Sequence, residues 1–169
     1  MKKLTFLVIS LIITVFSLKA QSGASASATA NVTAEVVQVI TVDKTSDLNF
    51  GTFAGGSTSG TVSIETSGVR NYTGGTALLS TNLGNPATFT VHGQNQAQYF
   101  ITLPSPNSII LVKSGTNNQM IVSSFVHNAT GVLSGNGEEV FNVGAVLQVS
   151  EFQPAGLYEG TFNVIVTLQ

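Results

Sequence analysis

The chain has 169 residues, no cysteine, 43% apolar residues and only 8% charged ones, with a net charge of −2. That length is enough for one domain with its own core. The composition excludes disulfide staples and cysteine–metal sites, and it argues against nucleic acid and anionic membrane surfaces, which need clustered Lys and Arg.

Lys2 and Lys3 open the chain, and an apolar run follows from Leu4 to Leu18. Its length and flanks suit a secretion signal over residues 1–20 and not a membrane span. Leu18-Lys19-Ala20 gives a cleavage site before Gln21, and Ala24 to Ala28 offers an alternative one. No membrane span is expected after cleavage. The exported chain keeps Lys44, Arg70 and Lys113 against eight acidic residues, a balance of −5. Soluble domains average about a quarter charged residues, so here Ser, Thr, Asn and Gln must carry solvation. Such a surface suits contact with copies of itself or with sugars, because little charge has to be desolvated.

Residues 21–30 are Ala- and Ser-rich and read as a flexible lead-in. Residues 31–169 read as a single domain. Val32, Ala34, Val36, Ile40 and Val42 share one parity, with Asn31, Thr33 and Glu35 on the other. Side chains alternate faces along a strand, so this predicts a long first strand, wet on one side at its start. Leu48 and Phe50 mark the next strand. Val62 and Ile64 follow the Gly55–Gly60 loop, and Ala77 to Leu79 follow Gly74-Gly75. Phe89 and Val91 share a face, then Tyr99, Ile101 and Leu103 do, with Pro104 stopping that strand. Ile109 to Val112 and Met120 to Phe125 come next. The Gly135-Asn136-Gly137 turn opens a long strand with Phe141, Val143, Ala145, Leu147 and Val149 on one face. A last strand has Phe162, Val164, Val166 and Leu168 inside, with Tyr158 counted among its core residues. About ten short strands between Gly, Asn and Pro turns predict an all-β sandwich with little or no helix.

Catalysis has little raw material. His92 and His127 are the only histidines, and they lack metal-ligand spacing. Asp43 and Asp47 bracket a polar turn without an EF-hand pattern. Glu138 and Glu139 are strand neighbours that point to opposite faces, so they cannot flank one bond, and solvation of a hairpin end is the expected role. No Gly-x-Ser-x-Gly elbow occurs. No catalytic residue, metal or cofactor is therefore expected. The triplets at Asn31, Asn71 and Asn128 match the glycosylation pattern, which arises by chance in so Asn- and Thr-rich a chain. Tyr99 and Tyr158 read as core or corner residues, and Tyr72, in an Arg70–Gly74 loop, as an exposed aromatic.

Asp47-Leu48-Asn49-Phe50-Gly51, then Phe89-Thr90-Val91-His92-Gly93, Tyr99 to Pro104, and the closing Ala155-Gly156-Leu157-Tyr158-Glu159-Gly160 resemble a family of bacterial secreted domains of unknown function. The resemblance covers residues 28 to 169. That family is similar in turn to spore-coat-protein-U-like and chaperone–usher pilin domains, although the cysteine pair of many such pilins is absent here. The resemblance implies an immunoglobulin-like antiparallel β-sandwich of the pilin or adhesin type. It also implies that a neighbour's N-terminal segment fills a groove by β-strand addition. Val32, Ala34 and Val36 are the candidate assembly strand, although pairing within their own domain is slightly favoured, because parity alone cannot say whose sheet a strand joins.

The expectation is thus an exported, non-enzymatic surface or fimbria-like subunit, placed in the periplasm, on the outer surface or in a fimbrium. Its partners would be copies of itself, related subunits or glycans, and not nucleic acid. The alternative is a monomeric adhesin or carbohydrate-binding module whose Arg70, Tyr72 and Asn95 lie on loops at one end of the sandwich.

Overall fold

A computed structural model describes residues 23–169, so the signal-peptide reading of residues 1–20 lies outside the described residues. The chain divides into two units at Val36. In the first, the described residues 23–36 are all exposed and form no strand.

The second unit, Val37–Gln169, carries twelve strands, and no helix occurs among the described residues. They are β1 (Thr41–Ser46), β2 (Phe53–Ala54), β3 (Gly60–Ile64), β4 (Arg70–Gly74), β5 (Ala77–Leu78), β6 (Ala87–His92), β7 (Tyr99–Thr102), β8 (Ile109–Lys113), β9 (Gln119–His127), β10 (Glu138–Val149), β11 (Tyr158–Glu159) and β12 (Ile165–Leu168). Every strand pairing is antiparallel. No helix among the described residues is long and apolar enough to cross a membrane.

Eight strands form one sheet in the order β1-β6-β10-β9-β8-β11, with β3 beside β10 and β4 beside β3. β10 is its spine. Its first half pairs with β6 and its second half with β3 along one edge, while β9 runs along the other. The change of partner falls at Gly144, where a Cβ would strike the Ile64 carbonyl, so the crossing needs glycine. The alternation along β10 is the one the sequence predicts. Phe141, Val143, Ala145, Leu147 and Val149 are all buried.

The β10 face divides the core in two. Phe141 and Val143 join Ala87, Phe89, Val91, Tyr99 and Leu133. Ala145, Leu147 and Val149 join Phe50, Val62, Ile64, Met120 and Val122. Two short pairs cover these clusters as the second layer of a β-sandwich. β2 and β5 lay Phe53 and Leu78 on the second cluster, and β7 and β12 lay Ile101 and Val166 on the first. Phe162 completes the first from outside any strand, with its ring 5.0 Å from Phe125 and 6.2 Å from Phe89.

Four expectations need correction. The first strand begins at Thr41, and residues 31–40 form no strand, because alternation marks a segment that can be half covered but names no partner edge. Leu48 and Phe50 flank only an isolated bridge between Asn49 and Asn85. Arg70–Gly74 is an edge strand and not a loop. It buries no face, so it leaves no apolar alternation to read. The terminal segment is two strands: Tyr158 sits on β11 against β8 and packs on the second cluster, while Phe162, Val164 and Val166 pack on the first. Leu168 is half-buried at the end of β12.

Candidate functional site

Val32 is 94% exposed and Val36 95%, and Ala34 between them is exposed as well. Three apolar side chains of one parity therefore stand uncovered in a segment with no strand partner among the described residues. The burial of such side chains contributes about 25 cal/mol per Å², and none of that is realised here.

The β7–β12 pair forms a sheet of two strands. Its register sets Leu168 against Tyr99 and Val166 against Ile101. The Gln169 N–H donates to the Gln98 carbonyl at 3.0 Å. Hydrogen-bonding direction alternates along a strand, so the amides of Ile165 and Thr167 face β7 and those of Val166 and Leu168 face away. Among the described residues no strand pairs with that outer edge of β12.

β7 is anchored on its other side. The Tyr99 N–H donates to the Gly131 carbonyl at 2.9 Å, and Gln98 bridges to Val132. The Tyr99 hydroxyl donates to Glu139 Oε2 at 2.6 Å, and the Thr130 N–H donates to Glu139 Oε1 at 2.6 Å. One carboxylate thus ties β7, the β9–β10 connection and β10 together. Burial and the Glu139 hydrogen bond push the Tyr99 hydroxyl pKa well up. Burial alone would raise that of Glu139, but the Thr130 and Tyr99 hydrogen bonds outweigh it and hold the carboxyl below its ordinary value. Glu138, on the opposite face, contacts His92 at 3.1 Å. Hairpin solvation therefore does not describe Glu139, and only the three-dimensional fold reveals this role.

Beside this knot lies a cavity of about 420 Å³ lined by Gln98, Phe100, His127, Thr130, Val132 and Gln169, among others. No sequence motif marks it.

The loop-contact candidates do not converge. Asn95 sits in the β6–β7 loop near Gly137, at the start of β10. Tyr72 pairs with Val62, which pairs with Leu147 near the other end of β10. The rise of a strand puts the two roughly 30 Å apart, so they cannot share one end of the sandwich. Tyr72 is 54% exposed on β4. The Arg70 guanidinium is already occupied. Nη1 donates to the carbonyls of Phe50, Thr52 and Asn82 at 3.2, 3.1 and 2.9 Å, and Nη2 donates to that of Leu79 at 2.5 Å. Gly51 makes room for it, since a Cβ there would collide with the guanidinium and φ is +73°.

His92 lies between two carboxylates on neighbouring strands, 3.5 Å from Asp43 and 3.1 Å from Glu138. Asp47 is bound to Lys44. His127 stands edge-on to Phe141, with ring centroids 6.2 Å apart. No group of three His, Cys, Asp or Glu residues among those described is arranged to hold a metal ion.

No curated protein matches the chain. Residues 40–167 match the family described as Domain of unknown function (DUF4402), and this chain belongs to that family.

Proposed function

We propose that this chain is an exported, non-enzymatic structural subunit of the bacterial cell surface, fimbria-like, which assembles by β-strand pairing with copies of itself or with related subunits. The periplasm, the outer surface or a fimbrium is its place, and the sandwich is of the immunoglobulin-like pilin or adhesin type. The observation that carries this reading is the uncovered row of Val32, Ala34 and Val36 in a chain whose β12 has one edge without a partner among the described residues. Strand addition satisfies both at once. Main-chain bonds form along the edge while alternate side chains enter the apolar interior. An open edge beside half-buried Val164, Val166 and Leu168 is otherwise an aggregation hazard that proteins cover or charge. The small charge content supports the same reading, because closely apposed copies desolvate few ions.

The test is electrophoresis of native surface extracts with and without heating. Ladders that survive SDS and collapse on heating are expected, and deletion of residues 21–36 should abolish them. Monomer alone in unheated wild-type samples would refute assembly by strand exchange.

A further inference from the structure

We propose that the cavity beside β7 binds a neutral saccharide. Its lining combines an apolar surface with uncharged hydrogen-bonding groups, and no Asp, Glu, Lys or Arg lines it. Phe100 stands 57% exposed on the face of β7 turned away from the core, and Val132 adds to the apolar part. An exposed ring of this kind suits the C–H face of a sugar. Gln98, Gln169 and Thr130 supply amides and a hydroxyl, groups that both donate and accept and so match sugar hydroxyls.

His127 adds a donor of defined position. Its Nδ1 accepts the Ala129 N–H at 3.2 Å, so the neutral ring carries its proton on Nε2. Ile101 adds main-chain groups. Like Tyr99, whose N–H reaches Gly131, it turns its amide and carbonyl away from β12, and no strand of the described residues pairs with that edge.

The wall is preorganised. Glu139 holds the Thr130 amide at 2.6 Å and the Tyr99 hydroxyl at 2.6 Å, which fixes the loop against β7. A site built in advance loses little entropy on binding. The lining reaches β12 only through Gln169, whose N–H faces β7, so the outer edge of β12 stays clear and the site can be filled whether or not strands are exchanged; this inference does not rest on the assembly proposal. An anionic glycan would find no cation in the lining, and discrimination against sialylated or sulfated sugars follows.

The experiment is an NMR titration of the processed chain with neutral tetrasaccharides of glucose, galactose, mannose and N-acetylglucosamine, beside sialylated and sulfated counterparts. Saturable shifts at residues 98–101 and 130–132, and at the Gln98 and Gln169 side-chain amides, are expected for at least one neutral sugar. Phe100→Ala should weaken that binding by about tenfold or more, and Gln98→Ala severalfold. Tyr72→Ala should leave it unchanged. Unaltered spectra elsewhere in the variants establish that they fold. No neutral sugar binding at millimolar concentration overturns the proposal, and so does preference for the acidic sugars. A synthetic peptide of residues 30–39 that shifts these resonances, when no sugar does, also overturns it and assigns the cavity to a peptide strand.

Discussion

The eight-stranded sheet and the β7–β12 pair bury the same kind of face and finish their edges differently. β10 has partners along both edges, and the side chains on its inner face are buried from Phe141 to Val149. β12 has one partner among the described residues, and its inner Val166 and Leu168 are only half-buried. Stability is therefore concentrated in the large sheet. The small layer keeps unspent hydrogen bonds and apolar area, and both the proposed assembly edge and the proposed sugar site lie there.

Truncation breaks this contrast most directly. Phe141→Ala removes a ring stacked 5.6 Å from Phe89 at the centre of the first cluster and should cost about 4 kcal/mol. Val166→Ala should cost about 1 kcal/mol in the monomer, because its side chain is only partly buried. Urea unfolding of both variants measures the ratio. Equal losses would mean that the two layers share the load.

Arg70→Ala comes next. It strips charged donors from four carbonyls around Gly51 and should lose about 2 kcal/mol. Lys in its place should recover only part, because an ammonium cannot fork across the same acceptors. Thermal melts of the two variants give the comparison.

Glu139 sharpens the contrast through pH. Its folded-state pKa lies below the ordinary 4.5, so its contribution is full above that value and is lost as pH falls through the lower folded value. Tyr99 is raised above its ordinary 10.0, so its contribution is full below that value and declines as pH rises past it. Stability should thus fall at both extremes. Glu139→Gln should flatten the acid limb, and Tyr99→Phe the alkaline one. Urea midpoints across the pH range check this, and profiles identical to wild type would remove the Tyr99–Glu139 tie from any energetic role. The smallest effect is expected at Ile165, which lies on the outer face of β12. Ile165→Thr should change monomer stability by less than about 0.5 kcal/mol, as read by the same melts.

The centre of the large sheet was legible because β3, β6 and β10 bury one face. Val62 and Ile64, Phe89 and Val91, and the odd positions of β10 from Phe141 to Val149 are apolar and buried throughout. β4 was not legible, since a polar edge strand carries no such pattern, and the two-residue β2 and β5 are shorter than a period can register. Residues 31–40 alternate like a strand and form none, which shows that periodicity reports the capacity for burial and says nothing of the partner. The Tyr99–Glu139 tie joins residues 40 apart in sequence, and the cavity draws on β7, the β9–β10 connection and Gln169. Only the register brings those together. The Arg70, Tyr72 and Asn95 grouping failed for the same reason, because the length of β10 separates residues that a loop-based reading placed side by side.

Amide hydrogen exchange at Val166 and Leu168 tests the strand-sharing proposal most directly. Both amides face away from β7. In assembled wild-type protein they should be protected, and in a Val32→Asp, Val36→Asp variant they should exchange at the rate of an open edge. The same exchange rate at both positions in the assembled protein and in the variant would contradict strand addition at β12.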